Sequence, residues 1–552
     1  MSTLFDADIS DSSDWDPNPV EEVVVDNRDG VYRLSSSLRR CGVSKLPPQD
    51  SLRQLLDAIT SNPLRSVVLD TGLEVDIFLW NFVVLELSKA TDTAQILQKI
   101  ESWPYYLQKV KIESPLEDTG DVFVYNALKD IPTLHFCRNK RKFTRDFTPS
   151  DTSAVIEIRH ELALEKCRRS STNIATVDAV SRASKKEQLI IGIIGLDKKG
   201  DMSLKGTLTQ LRLVFTDDTI INTGIYCTNN TVIVRGIMEP YKEAIRCIEI
   251  KHPPPLVDIE MPECFGGRMT KDDLLYIERR MSHKIEHGAS ERWLILSDLH
   301  LDCEETLNSF AQLLDTCLEM YQDEGFPTGF IVMGNFMSTE FNITTGTQHS
   351  YAEGFERLYI LLMKPKYRIL LMSSYFIVIP GPGDAIPCSS LIPMSPLLSH
   401  FTSNFINRMN NLLGSNSKFI LSTNPCRIRH LTRRLIFCRN DILSKLLGTA
   451  LLTSGTLLNT TPPAELVRML VNTLFGQGHL CPNKAGTSTI LKHDAALLLY
   501  PPPDLICIAD RSAPSFMEKM DSTLVCNVDA FSKSQSFVSY DAISGNCQRF
   551  SL

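Results

Sequence analysis

An aspartate and a histidine two residues apart, Asp298 and His300, follow the apolar run Trp293-Leu294-Ile295-Leu296 within the phrase Ser297-Asp298-Leu299-His300-Leu301-Asp302. A carboxylate and an imidazole projecting from the end of one buried strand can hold a divalent cation, and a held cation activates water for phosphoester hydrolysis. Asp302 is near enough to assist or to cap the helix expected next. Ligands in an α/β sheet collect in the loops at the carboxyl ends of strands, so each later strand end tests the idea. Met333-Gly334-Asn335-Phe336 offers Asn335, a neutral amide, where a two-metal site needs a bridging carboxylate. An amide oxygen can ligate one hard cation but does not offset the repulsion between two dications about 3.5–4 Å apart. Pro380-Gly381-Pro382-Gly383-Asp384 keeps an acid in Asp384, has no ligand at Pro382 or Gly383, and reads as a tight turn. Ser422-Thr423-Asn424-Pro425-Cys426-Arg427 brings no histidine, Gly476-Gln477-Gly478-His479-Leu480 brings His479, and Cys507-Ile508-Ala509-Asp510 again brings none.

Asp298, His300, Asn335, Asp384 and His479 therefore read as the remnant of a phosphoesterase metal site. One alternative is an active metal-dependent phosphoesterase or nuclease using Asp298 and His300, with Asp384 and His479 as helpers. The other is purely structural, with Asp298 capping a helix, His300 packed and hydrogen-bonded, and Asn335 satisfying a turn.

The elements that must position these residues follow from hydrophobic spacing. Leu307, Phe310, Ala311, Leu314, Cys317 and Leu318 fall on one helical face between the first strand and a second at Phe330-Ile331-Val332-Met333, which makes a βαβ unit. A helix around 351–362, strands at 376–379, 418–421 and 434–438, and a helix over 465–474 after Thr461-Pro462-Pro463-Ala464 continue an α/β alternation from about residue 291 to the end. Upstream, β-rich segments at 189–194, 204–215, 224–227, 231–235 and 246–250 are joined by turn residues and have the spacing of an OB-fold barrel. The barrel has few aromatics and charges of both signs, so a protein-binding or scaffolding role fits it; single-strand DNA binding through Arg212, Arg235 and the basic run 138–145 is a third function to test. That basic run also reads as an import signal or a solvated linker. His252-Pro253-Pro254-Pro255 closes the barrel with a stiff segment. Before it, Leu52, Leu55, Leu56 and Ile59 share a helical face, and 77–85 is an apolar block suited to a core.

At 552 residues the chain exceeds one core, and 43% hydrophobic with 22% charged residues is ordinary for globular domains. No apolar run approaches the roughly 20 residues that span a bilayer, and the acidic N-terminus lacks the basic and apolar regions of a signal peptide. A reducing compartment is expected, so the 15 cysteines, none in a Cys-x-x-Cys pair, should be mostly free thiols. A net charge of −8 argues against non-specific nucleic-acid binding as the main activity.

Taken in order, Ser-Asp-x-His-Leu-Asp at 297–302, Met-Gly-Asn-Phe at 333–336, Pro-Gly-Pro-Gly-Asp at 380–384, Ser-Thr-Asn-Pro-Cys-Arg-Ile at 422–428, Gln-Gly-His-Leu at 477–480 and Pro-Asp-Leu-Ile-Cys-Ile-Ala-Asp at 503–510 resemble the B-subunit family of replicative DNA polymerases, nearest its epsilon branch. The resemblance covers most of the chain, and 422–428 and 477–480 are its most specific phrases. It implies a multidomain α+β protein with a helical N-terminal domain, an OB-fold β-barrel and an α/β calcineurin-like phosphoesterase domain that has lost its chemistry. The expected divisions are an acidic disordered tail at 1–28, a helical domain at 29–118, a linker with strand and helix at 119–184, the OB-fold at 185–255, a second linker at 256–290 and the phosphoesterase-like domain at 291–552. The resemblance further implies a nuclear, non-catalytic accessory subunit with no cofactor, no resident metal and no membrane contact. Its expected partners are the catalytic subunit of DNA polymerase epsilon, whose cysteine-rich C-terminal module it would hold, the small histone-fold subunits of the same complex, and the replicative helicase, with DNA contacted mainly indirectly.

Overall fold

The computed structural model describes residues 31, 34–35, 46–60, 66–68, 74–76, 83, 87, 93 and 96, and then 122–552 apart from 138, 146–148, 150, 171–172, 183, 240–242, 257–258, 260–270, 287–289, 321–324, 343–346, 389, 415–417, 455–460 and 483–488. The chain divides into two compact units, Met1–Ile112 and Glu113–Leu552. In the first, helix α1 (Gln49–Thr60) starts after the Pro47-Pro48 break and buries Leu52, Leu55 and Leu56, as its helical spacing predicts. Strands β1 (Ser66–Val68) and β2 (Glu74–Asp76) add an antiparallel ribbon that the helical expectation lacked. The acidic tail and the apolar block at 77–85, except a buried Val83, lie outside the described residues.

The second unit is a mixed α+β assembly. It opens with β3 (Val122–Tyr125), the hairpin β4 (Leu134–Cys137) and β5 (Lys142–Arg145), and helix α2 (Thr152–Arg169), whose N-terminus is capped by the Asp151 carboxylate accepting from Ala154 N–H. The basic run thus lies on a hairpin rather than a solvated linker: Phe136 and Phe143 are buried in edge-to-face contact, and Arg141 pairs with Glu165 of α2.

Next come β6 (Ala175–Thr176), β7 (Gln188–Leu196), β8 (Met202–Lys205), β9 (Gln210–Val214), β10 (Ile220–Ile221), β11 (Ile225–Cys227), β12 (Thr231–Glu239) and β13 (Ala244–Lys251). Strands β7, β8 and β9 form an antiparallel meander, β9 pairs parallel with β13, and β13 and β12 return antiparallel to β7. Five strands therefore close into a ring around Ile190, Ile194, Leu204, Leu211, Val232, Val234 and Ile245. The stretch 204–215, read from its alternation as one strand, is broken into two because the Asp178 carboxylate accepts from the backbone of Thr207, Leu208 and Thr209 and bends the chain. The segment 225–227 is also corrected: β11 leaves the ring and pairs with β20 (Ala450–Thr453) of the following region.

After helix α3 (Lys271–Glu286), that region stacks two six-stranded sheets. Its elements are β14 (Arg292–Ser297), α4 (Glu304–Glu319), β15 (Gly329–Met333), α5 (Thr347–Leu362), β16 (Tyr375–Ile379), α6 (Ser399–Leu413), β17 (Phe419–Leu421), β18 (Cys426–His430), β19 (Arg433–Arg439), α7 (Ile442–Gly448), β20, α8 (Pro463–Gln477), β21 (Leu505–Ala509), β22 (Phe516–Met520), β23 (Thr523–Asn527), β24 (Ser536–Asp541) and β25 (Cys547–Ser551). The first sheet runs β17-β16-β15-β14-β24-β25 and the second β22-β23-β21-β19-β18-β3, so β3, far upstream in sequence, supplies an edge of the second sheet. Apolar faces of both sheets meet in a core of Trp293, Ile295, Ile331, Ile377, Ile428, Phe437, Cys507 and Val538. Helices α4, α5 and α6 cover the outer face of the first sheet, while α7 and α8 cover that of the second. Because strands β14 to β16 and β19, β21 and β23 are largely buried on both faces, they read as continuous apolar runs rather than alternations. No helix among the described residues is long and apolar enough to cross a membrane, and every described cysteine is a free thiol.

Candidate functional site

The carboxyl ends of β14, β15, β16, β19 and β21 converge on one crevice, and Asp298 is its pivot. Asp298 adopts a left-handed conformation, φ +55°, which a short polar side chain tolerates better than a branched one, and it is 2% exposed. Its Oδ1 accepts from Asn335 N–H at 2.9 Å, from Arg439 Nη2 at 3.4 Å and from Arg511 Nη2. Asn335 in turn presents Oδ1 to Gly383 N–H at 3.0 Å. Asp384 is equally engaged: Oδ1 accepts from Phe336 N–H at 2.7 Å and Tyr351 Oη–H at 3.3 Å, and Oδ2 from Gly381 N–H at 2.7 Å. Burial pushes the Asp384 carboxyl up to about 7, against those donors. Gly334 makes this packing feasible, since a Cβ there would meet Asp384 Oδ2 at 1.9 Å.

Asp298, Asn335 and Asp384 are thus brought together as the sequence predicts, with their oxygens turned onto protein donors. Asp302 does neither of the expected jobs. Its carboxylate accepts from Ser338 N–H at 3.0 Å, and α4 has Cys303 at its N-cap position without a side-chain cap. His300 sits beside them with Nε2 buried and without a hydrogen-bond partner among the described residues, and burial lowers its pKa.

His479 is placed elsewhere. It is fully buried at the end of α8, where Arg159 Nη2 lies 3.1 Å from Nε2 and Asp494 3.3 Å from it, while Nδ1 accepts from Cys481 N–H. Its polar contacts reach α2 and the 491–497 segment, none of the other candidate residues. Burial and the Arg159 guanidinium beside it keep the imidazole neutral, because both disfavour a second positive charge. The neighbouring Gln477 joins the ring to α8, accepting from Thr231 N–H at 3.0 Å and donating to Thr231 carbonyl at 2.8 Å. The same amide nitrogen is 2.9 Å from Nδ1 of His252, whose ring stacks on Tyr226. The phrase Gln477 to Leu480 is a seam between the ring and the layered region.

Sequence reasoning missed the residue that organises the crevice. Arg439, the last residue of β19 and 1% exposed, donates from Nε to Gly334 carbonyl at 2.9 Å and from Nη1 to Ala509 carbonyl at 3.0 Å and Asp441 at 2.9 Å, besides reaching Asp298. One guanidinium therefore ties the ends of β14, β15, β19 and β21 across both sheets. Burial alone would lower its pKa, but Asp298 and Asp441 overcome that and hold it above its usual value. Asn424 adds a second tie, donating to the carbonyls of Pro380 and Arg439 at 2.9 and 2.7 Å while accepting from Arg439 N–H. The only advance signal was an arginine ending an apolar strand in Leu435-Ile436-Phe437-Cys438-Arg439, a place where an unpaired charge is untenable.

The donor set does not fit a pair of divalent cations. Guanidinium nitrogens lie on the carboxylate that would bind them, both Asp384 oxygens accept N–H groups, and no group of three or more His, Cys, Asp or Glu suited to a metal occurs among the described residues. Two of the contacts proposed for DNA are paired with acids: Arg235 with Glu187 and Glu249, and Arg212 with Asp201.

Comparison with known proteins matches residues 293–518 to the family of DNA polymerase alpha/epsilon B subunits. The chain is 30% identical to the DNA polymerase epsilon B subunit of Arabidopsis thaliana over 58% of each chain, and 27% identical to that of Schizosaccharomyces pombe over 59% of this chain and 55% of the relative. It thus spans a little over half the length of those relatives. Similarity to DNA polymerase epsilon subunit 2 of Homo sapiens extends over 92% of both chains at 21% identity.

Proposed function

We propose that this chain, similar to DNA polymerase alpha/epsilon B subunits, is a member of that family and serves as a non-catalytic accessory subunit of DNA polymerase epsilon in chromosomal DNA replication, acting in the nucleus. In this reading the ring is an OB-fold and the two-sheet region a calcineurin-like phosphoesterase domain whose site has been turned into a structural clasp. The ring's order, with the third strand parallel to the fifth and the first antiparallel to the fourth, supports the former. Four strand ends tied by Arg439 support the latter. Residues 185–255 and 291–552 are the corresponding domains, with β3 and α2 of the 119–184 segment packed against them.

The observation that carries the reading is the seam. A scaffold must present two domains as one rigid surface, and here Gln477, His252, Asn230 and Lys166 link ring, α2, α8 and the segment after α8 through buried and part-buried hydrogen bonds. The composite surface would hold the catalytic subunit's C-terminal metal-binding module, the N-terminal unit would contact the replicative helicase, and the small histone-fold subunits would join the same complex. Capture of the catalytic subunit's C-terminal region by the full chain tests this; no association even at low salt would sink it. An active phosphoesterase would instead show manganese-dependent phosphodiester turnover abolished by Asp298→Asn.

A further inference from the structure

Charge arithmetic around Asp298 points to what replaced the cations. Two carboxylates, Asp298 and Asp441, meet two guanidiniums, Arg439 and Arg511: Arg439 bridges both acids, and Arg511 binds Asp298 with its side chain and Asp441 with its backbone N–H at 3.0 Å. The four form a neutral cluster. The two arginines differ in setting, with Arg439 side chain 1% exposed and that of Arg511 39% exposed. Next to them His300 Nε2 is buried without a partner among the described residues, and Asn335 Oδ1 uses only one of its two lone pairs, on Gly383 N–H.

We propose that Arg439 and Arg511 are built-in cations standing where Asp298 would recruit divalent ions, and that Arg511 alone keeps a divalent cation out of a one-ion position formed by Asp298, His300 and Asn335. Arg439 has backbone carbonyls to satisfy and is fixed in the wall. Arg511 binds only the acids among the described residues, and its guanidinium reaches the crevice from the solvent side. Removing it leaves Asp298 and Asp441 with one guanidinium between them, and the His300 imidazole close to Asp298. Carboxylate, imidazole and amide oxygen together suit a borderline ion such as Mn²⁺ rather than Ca²⁺, which favours an all-oxygen shell. Arginine suits the exclusion because it stays charged at every physiological pH, whereas a lysine there would be lost more easily to burial.

The inference rests on reading the crevice as a former cation site. Mn²⁺ binding to the full chain, followed by electron paramagnetic resonance and calorimetry, tests it. The wild-type chain is expected to show no saturable site, while Arg511→Ala gains one Mn²⁺ per chain with affinity at least about 10-fold above any wild-type binding. Arg511→Lys should restore exclusion in part, and Asp298→Asn in the Arg511→Ala background should abolish the gained site. Equal binding by wild type and Arg511→Ala, or a gained site that survives Asp298→Asn, overturns the proposal. Arg511 is exposed enough for the alanine variant to fold, and its unchanged capture of the catalytic subunit keeps this outcome separate from the accessory-subunit reading.

Discussion

The crevice at Asp298 and the seam at Gln477 are both buried polar networks, yet they neutralise charge in opposite ways. In the crevice, formal ions face formal ions: Arg439 and Arg511 against Asp298 and Asp441. In the seam, the buried Lys166 ammonium donates to Phe475 and Gly476 carbonyls at 2.8 and 2.6 Å, the negative end of α8. Partial charges compensate less than a carboxylate does, so burial lowers the Lys166 pKa to about 7 and that of His252, with Lys166 nearby, to about 3. A glycine admits the close approach in each region: Gly334 beside Asp384, and Gly476, where a Cβ would meet His252 Cβ at 2.5 Å. The crevice is neutralised by ion pairs, whereas the seam makes do with dipoles.

Breaking the clasp is expected to have the largest effect. Arg439→Met leaves Asp298 short of a partner and the carbonyls of Gly334 and Ala509 without donors, a loss of about 3–5 kcal/mol in urea unfolding. If the variant unfolds at the wild-type midpoint, the clasp contributes nothing and the contrast collapses. Gln477→Ala removes both bonds to Thr231 and the contact with His252, and should cost about 1–3 kcal/mol and increase proteolysis between ring and layers.

The pH dependence then separates the two regions by sign. Lys166 and His252 both bind fewer protons folded than unfolded, so the seam strengthens as pH rises from about 3 to 6.5 through His252 and from about 7 to 10.5 through Lys166. Each contributes at most about 1.4 kcal/mol per pH unit. Asp384 has the opposite sign: its raised pKa means extra protons bound when folded, and its stabilisation, full below 3.8, is lost as pH climbs to about 7. Lys166→Met should flatten the alkaline rise in stability, and Asp384→Asn should cost less at pH 8 than at pH 5; unfolding curves at both pH values decide. Smallest of all, Arg511→Ala should change stability by about 1 kcal/mol or less, because its pair with Asp298 is partly solvated.

Much of the layered region was legible because its strands are apolar runs and its helices keep a 3.6-residue period; α4 buries Phe310, Leu314 and Cys317 of its expected face together with Thr306, Ser309 and Leu313, and leaves Leu307, Ala311 and Leu318 half-buried. The gathering of Asp298, Asn335 and Asp384 was legible too, since strand-end loops in an α/β sheet converge. Positions whose partners lie far along the chain were not. β11 leaves the ring for β20, more than two hundred residues on, and Asp178 splits a strand its own alternation would continue. His479 carried the strongest catalytic look in its phrase and proved to be a buried link to Arg159 and Asp494.

What the sequence by itself determined is the set of local facts: which segments are strands or helices, and which strand ends lack the charged ligands of a hydrolytic metal pair. Those follow from periodicity and side-chain chemistry, which act over a few residues. Only the tertiary structure decided where the remaining charges find their partners. Electrostatic compensation depends on distance in space, and Arg439 and Arg511 meet Asp298 from 141 and 213 residues away. The sequence records which charged side chains end the strands, and the fold shows that Arg439 and Arg511 are the cations that meet Asp298.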